Sequence, residues 1–265
     1  MGIFMKILCN EWFFISYLLN VDGLKDRINP KKLYGGEKHM VTDDKRIRII
    51  TGHYGSGKTE FSVNYIKKLR ESVEGKVAIA DLDIVNVYFR SREKKAEMEE
   101  MGIQVIASNL DTAVADVPAV SGAMTMPVQN KEYQYLIDLG GNDVGTLVLG
   151  RIKPVIDHSE TDLFMVVNAY RPGTSTPEGI IEQMEYLEFG TGMKVTGFVN
   201  NTNLVRETTW DCLLHGDEVL KEVTKRTGVP VKYVSFVKEL LAEEVPEGLS
   251  GELFPMEFNM RKTWM

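Results

Sequence analysis

The run Gly52-His53-Tyr54-Gly55-Ser56-Gly57-Lys58-Thr59 constrains this chain more than any other stretch of it. It reads as glycine, four residues, glycine, lysine, and serine or threonine, and it directly follows the β-branched run Ile47 to Thr51. After it, Phe61, Tyr65 and Leu69, with Ile66 beside them, fall at helical spacing. Glycines let successive backbone amides turn toward one point, and the helix that follows adds the positive end of its dipole. A loop of this kind works only where a buried strand hands over to a helix, so the chain is expected to build a sheet with helices packed against it.

The remainder repeats that strand-to-helix alternation. Apolar, β-branched runs occur at Ile47 to Thr51, Val77 to Ala80, Gln104 to Ala107, Tyr135 to Asp138, Leu163 to Asn168, Val195 to Asn200 and Val231 to Phe236. Each is mostly apolar, as a strand buried on two faces should be. Between them lie helical stretches such as Ile180, Met184 and Leu187, entered through Pro177 at a first turn. The expected fold class is therefore α/β, a mostly parallel sheet with helices on both faces, the architecture of a P-loop NTPase. At 265 residues and 43% hydrophobic content the chain can bury one full-sized core. Residues 45–265 are expected to form that domain and residues 1–44 an N-terminal extension. The extension is charged between Val21 and Asp44 and broken by Asn29-Pro30 and Gly35-Gly36, and Met40 stands just ahead of the first strand. The apolar stretch Ile3 to Leu19 is interrupted by Lys6, Asn10 and Glu11, which argues against a membrane span or a targeting signal.

A formal net charge of −7 gives no broad attraction to nucleic acid or anionic lipid, so neither is an expected partner. Cys9 and Cys212 are the only cysteines and lie far apart, which excludes a disulfide scaffold and any paired-cysteine metal site and fits a reducing cytoplasm.

The chemistry expected of the loop is specific. Its backbone, from Gly52 through His53, Tyr54, Gly55, Ser56 and Gly57, cradles phosphate oxygens, Lys58 contacts the β- and γ-phosphates, and the Thr59 hydroxyl ligates magnesium. After the next strand comes Asp81-Leu82-Asp83-Ile84-Val85-Asn86, where Asp81 serves magnesium through water and Asp83 orients an attacking water. The run Tyr135-Leu136-Ile137 then delivers Asp138 to the magnesium side, and Gly141, lacking a side chain, lets its amide approach the γ-phosphate as a switch segment does. Asn142 and Asp143 are either part of that switch or ordinary loop residues.

In this order of motifs the chain resembles the MinD/ParA-like ATPases, the branch of P-loop proteins that includes the CobQ/CobB-type nucleotide-binding domains. The resemblance runs from Arg46 to Phe236 and rests on the glycine loop, on Asp81-x-Asp83-x-x-Asn86 as a first switch, on Asp138-x-x-Gly141 as a second, and on Asn200 ending a strand. It implies ATP with Mg2+ as ligand, Asn200 as reader of the adenine edge, a loop near Gly228-Val229-Pro230 over the base, and a possible homodimer. Family members that sandwich two ATPs between subunits carry a lysine directly after the loop's first glycine. His53 stands there instead, and an imidazole does not deliver that fixed charge. Arg90 and Arg92 are the candidate substitutes. Three functions follow as expectations: a slow, magnesium-dependent ATPase acting as a switch for a protein partner, an ATP-dependent ligase or phosphotransferase on a small carboxylate, or a nucleotide-binding module that does not hydrolyse, against which Asp83 and Asp138 weigh and for which the missing lysine weighs. For the second, Arg171 with Thr174, Ser175 and Thr176 is the candidate acceptor cluster. The segment Glu252 to Met265 has only Arg261 and Lys262 as cations and contains Pro255, which speaks against a membrane-docking helix.

Overall fold

A computed structural model describes residues 41–82, 92–107, 122–241 and 245–259. The chain divides into two compact units, Met1–Glu37 and Lys38–Met265, and the first contains none of the described residues. In the second, strand and helix alternate: β1 (Ile47–Thr51), α1 (Lys58–Ser72), β2 (Lys76–Leu82), α2 (Arg92–Glu100), β3 (Ile103–Ala107), α3 (Gly122–Gln129), β4 (Tyr133–Leu139), α4 (Asp143–Ile152), β5 (Thr161–Val167), α5 (Pro177–Thr191), β6 (Gly197–Asn200), α6 (Trp210–Thr227), β7 (Val231–Val237) and β8 (Glu252–Met256).

The described strands form one eight-stranded sheet in the order β3-β2-β4-β1-β5-β6-β7-β8, and every neighbouring pair is parallel. This is the expected α/β class. Every residue of β1 is buried, so neither face of the central strand meets solvent. One face carries a core in which Phe61, Tyr65 and Leu69 of α1 meet Ile50, Val166, Val199, Tyr233 and Phe254 from the sheet. No described side chain of α4, α5 or α6 enters that cluster. α4 packs on α5 and α5 on α6, and right-handed crossovers place them on the opposite face. Helix ends follow their sequence signals. Thr176 caps α5 by accepting the Gly179 N–H at 3.2 Å, Pro177 opens the helix, and Gly192 closes it in the left-handed conformation.

Each expected strand is present within a residue or two. The strand that patterning missed is β8, which pairs in parallel with β7 and places Pro255 opposite Phe236. Proline gives no N–H to a ladder, and the outermost strand tolerates that loss. Beyond β8 the chain turns back onto α1: Asn64 exchanges hydrogen bonds with the Glu257 backbone at 2.8 and 3.0 Å, and the Asn259 N–H donates to Glu60 at 2.6 Å.

At the amino-terminal edge of the sheet lies a closed polar network. Arg48 of β1 is fully buried, and its guanidinium donates to the Tyr65 hydroxyl at 3.2 Å, to the Gln134 side chain, to the Arg46 carbonyl at 2.9 Å, and to the carbonyls of Val41 and Asp44 at 3.0 Å each. The Asp44 carboxylate accepts from Tyr65 at 2.6 Å and from Tyr233, and pairs with Lys232 at 3.0 Å. Burial pushes the Tyr65 and Tyr233 phenols well above their ordinary range. Val41 and Asp44, which the sequence places in the extension, are thus packed into the domain, Val41 with no exposed surface. Among the described residues no helix is long and apolar enough to cross a membrane.

Candidate functional site

Strand β1 sits where the chain's path across the sheet reverses, with β4 on one side and β5 on the other, and crevices at such points lie beyond the carboxyl ends of the strands. The glycine loop leaves β1 at that edge. Gly57 caps α1 in the left-handed conformation, with φ of 86°, and the Ser56 N–H closes a turn on the His53 carbonyl at 3.1 Å. Crowding fixes two more glycines. A Cβ on Gly52 would stand 2.3 Å from the Val166 carbonyl oxygen, and one on Gly141 would stand 2.0 Å from the Gly52 oxygen. Gly141, named from sequence as a switch residue, therefore lies directly against the start of the loop.

Lys58 and Thr59 begin α1 and are buried, at 8% and 4% exposure. Asp138 is level with Ile50 of β1 and directly beside Asp81 across the β2–β4 pair, and both carboxylates are buried. The Ser62 hydroxyl, one turn along α1 from Lys58, donates to Asp138 at 3.1 Å and fastens the carboxylate to the helix that presents Lys58 and Thr59. Adjacent buried carboxylates demand cations. Lys58 is one, and the Thr59 hydroxyl with these carboxylates makes the all-oxygen set that a hydrated magnesium ion takes. The Ser56 hydroxyl in the loop and the Thr51 hydroxyl just before it are buried with no hydrogen-bond partner among the described residues. An amide-lined loop, a lysine, a hydroxyl and paired carboxylates fit a phosphate chain carrying a divalent cation.

Asp83, Asn86 and Arg90 lie outside the described residues; Arg92 opens α2, and its side chain lies outside them too. Asn142 is a helix cap: its side chain accepts the Gly145 N–H at 3.1 Å. Asp143 follows as the first residue of α4. His53 turns Nδ1 to the Tyr54 carbonyl at 3.0 Å, and Tyr54 is 75% exposed. Between the loop and α5 opens a cleft of ≈ 480 Å³, with His53, Tyr54, Lys58 and Gly141 on one wall and Glu182, Gln183 and Tyr186 on the other. Gln183 Nε2 is buried there without a partner among the described residues.

The adjacent asparagines Asn200, the last residue of β6, and Asn201 make different contacts. Asn200 is fully buried, donates to the Leu213 carbonyl at 2.9 Å and accepts the Thr202 N–H at 3.2 Å, so both ends of its amide are engaged within the fold. Its neighbour faces the loop instead: Asn201 Nδ2 donates to the Ser56 carbonyl at 2.7 Å, and Oδ1 accepts from Ser235 at 2.9 Å. Successive strand residues point to opposite faces, and composition cannot say which of two identical neighbours faces inward. Arg171 also reaches the loop, donating Nε to the Gly55 carbonyl at 3.0 Å. The turn at Gly228-Val229-Pro230 lies elsewhere. Gly228 ends α6 in the left-handed conformation and Pro230 adjoins the start of β7, so this turn occupies the amino-terminal edge, opposite the glycine loop. In a parallel sheet each helix returns the chain to that edge before the next strand begins.

No protein-family model matches the sequence, and no curated protein matches it. Among solved structures the chain is similar to a nucleotide-binding protein in complex with ADP from Archaeoglobus fulgidus, at 14% identity and a TM-score of 0.48, with 84% of this chain and 86% of that one covered. It is similar to FtsY from Mycoplasma mycoides at 16% identity and a TM-score of 0.46, covering 74% and 66% of the two chains. A ParA family ATPase from Chlorobium tepidum is similar at 14% identity and a TM-score of 0.29, covering 69% and 93%.

Proposed function

We propose that this chain is a cytoplasmic, magnesium-dependent ATPase whose bound nucleotide positions the segments after β2 and β4 for a protein partner to read. The observation that carries this reading is the meeting, at one sheet edge, of the glycine loop, Lys58, Thr59 and the buried pair Asp81 and Asp138, with Asp138 tied to α1 through Ser62. The loop amides and Lys58 bind and orient the phosphates. Thr59, Asp138 and, through water, Asp81 would hold magnesium, which when bound neutralises charge on the phosphates. Gly141 lies against the start of the loop, so the segment after β4 would respond to what the loop holds. The sequence assigns the orienting of water to Asp83. ATP is favoured over GTP by the family resemblance and by the lack of an Asn-Lys-x-Asp run in the sequence. With His53 in place of a lysine, turnover is slow, because a fixed cation at the transferred group is worth about 10³ to 10⁵ in rate.

The cleft between the loop and α5 favours a second reading, phosphoryl transfer to a small acceptor, because Gln183 offers a buried donor, without a partner among the described residues, in the cleft that Lys58 also lines. One experiment separates them. Purified protein is incubated with γ-labelled ATP, magnesium and a metabolite mixture. Free phosphate supports the switch reading, a labelled metabolite supports transfer, and ATP left intact and unbound overturns both.

A further inference from the structure

We propose that Arg171 and Asn201 are positioning residues of the glycine loop, each holding one of its carbonyls from outside so that the loop keeps the shape that receives phosphate. This rests on the nucleotide reading above. A peptide unit is planar and trans, so its C=O and the N–H of the next residue point in opposite directions. Arg171 Nε donates to the Gly55 carbonyl at 3.0 Å, and the N–H at the other side of that unit, on Ser56, closes on the His53 carbonyl at 3.1 Å. Asn201 Nδ2 donates to the Ser56 carbonyl at 2.7 Å. The N–H at the other side of that second unit belongs to Gly57, and it donates to no described residue. The first clamp thus sets the turn, and the second leaves an amide open on the face away from Asn201.

The two clamps act on consecutive carbonyls and come from the loops after neighbouring strands, β5 and β6. Arg171 is exposed, its side chain makes no other hydrogen bond or ion pair to a described residue, and its terminal nitrogens donate to none. Asn201 is 4% exposed and is itself held by Ser235 within β7, so its grip on the loop is rigid. Space is matched to both: a Cβ on Gly57 would stand 2.3 Å from Asn201 Nδ2, and one on Gly55 would stand 3.1 Å from Arg171 Nε. A glycine-rich loop has the most backbone freedom to lose on binding, and clamping it beforehand reduces that loss.

The test measures ADP and inorganic pyrophosphate binding by calorimetry, with thermal unfolding in parallel. Arg171→Ala is expected to weaken both ligands about tenfold, the worth of one hydrogen bond from a charged donor, at an unchanged unfolding midpoint. Arg171→Lys, which keeps the charge but lacks the planar fork, should stay weak. Asn201→Asp, of the same shape but with an acceptor facing the Ser56 carbonyl, is expected to weaken both by more than Arg171→Ala. Pyrophosphate affinity within twofold of wild type in Arg171→Ala, or full restoration by Arg171→Lys, overturns the clamp. A wild-type protein that binds neither ADP nor pyrophosphate overturns the nucleotide reading itself.

Discussion

The two edges of this sheet are both rich in polar side chains, and they use them in opposite ways. At the amino-terminal edge Arg48, Asp44, Tyr65, Tyr233 and Lys232 satisfy one another around a buried charge. At the carboxyl-terminal edge the loop carbonyls are held by Asn201 and Arg171, while the Gly57 amide and the Ser56 hydroxyl have no partner among the described residues. A polar group that is closed off internally supports the fold, and one left open at the end of a rigid strand awaits a ligand. Substitutions at the first edge should therefore move stability without touching ligand affinity, and substitutions at the second should do the reverse.

The largest expected effect tests the first half of that contrast. Asp44→Ala strips a carboxylate acceptor from two buried phenols and the anionic partner from Lys232, for a loss of about 3–5 kcal/mol in chemical denaturation. ATP affinity of the molecules that remain folded should be unchanged. A stability change below about 1 kcal/mol would show that the network is replaceable by water.

Lys58→Ala tests the other half. Removing the loop's cation should lower ATP affinity about a hundredfold or more by calorimetry, with the unfolding midpoint of the ligand-free protein preserved. Wild-type affinity in this variant would remove the loop from the site.

Alkaline pH sharpens the contrast with a smaller effect. Tyr65 and Tyr233 hold their protons above the ordinary value of 10.0 when folded, because burial opposes the phenolate. Below about pH 10 folded and unfolded chains are both protonated and the stability is complete; above it the unfolded chain releases protons first, so stability falls as pH rises. Tyr233→Phe should flatten that fall in urea unfolding between about pH 9 and 11, and an unchanged slope would count against a raised Tyr233.

The smallest expected effect is none. A chain beginning at Met40 retains Val41 and Asp44 and should unfold cooperatively and bind ATP as the full chain does, whereas one beginning at Lys45 loses the Asp44 carboxylate together with the buried Val41 and two carbonyls that hold Arg48, and should be less stable than Asp44→Ala. Loss of the cooperative transition in the Met40 chain would assign residues 1–39 a structural part.

Much of the carboxyl-terminal edge was legible because its chemistry is local. The glycine loop, Lys58 and Thr59 are contiguous, and Asp81 and Asp138 each end an apolar run, so spacing alone places them. Contacts between distant segments were not legible. Ser62 reaching Asp138, Asn201 rather than Asn200 reaching Ser56, and Arg171 reaching Gly55 depend on register between strands, which one sequence does not display. The opposite edge was hidden for another reason: charged side chains such as Arg48 and Asp44 are rarely interior, and only the packing of Tyr65 and Tyr233 around them shows that these are. Strand β8 escaped notice because Pro255 argues against a strand everywhere except at a border.

That border has a consequence for crowded solutions. An outermost strand ordinarily offers a row of donors and acceptors on which a strand from another molecule can be laid down, the first step toward ribbons and fibres. Pro255 interrupts the donor row on β8, and the return of residues 257–259 onto α1 ties the end of the strand to its own molecule. Sheet-to-sheet polymerisation is disfavoured along this flank, and any pairing of copies is steered to other surfaces.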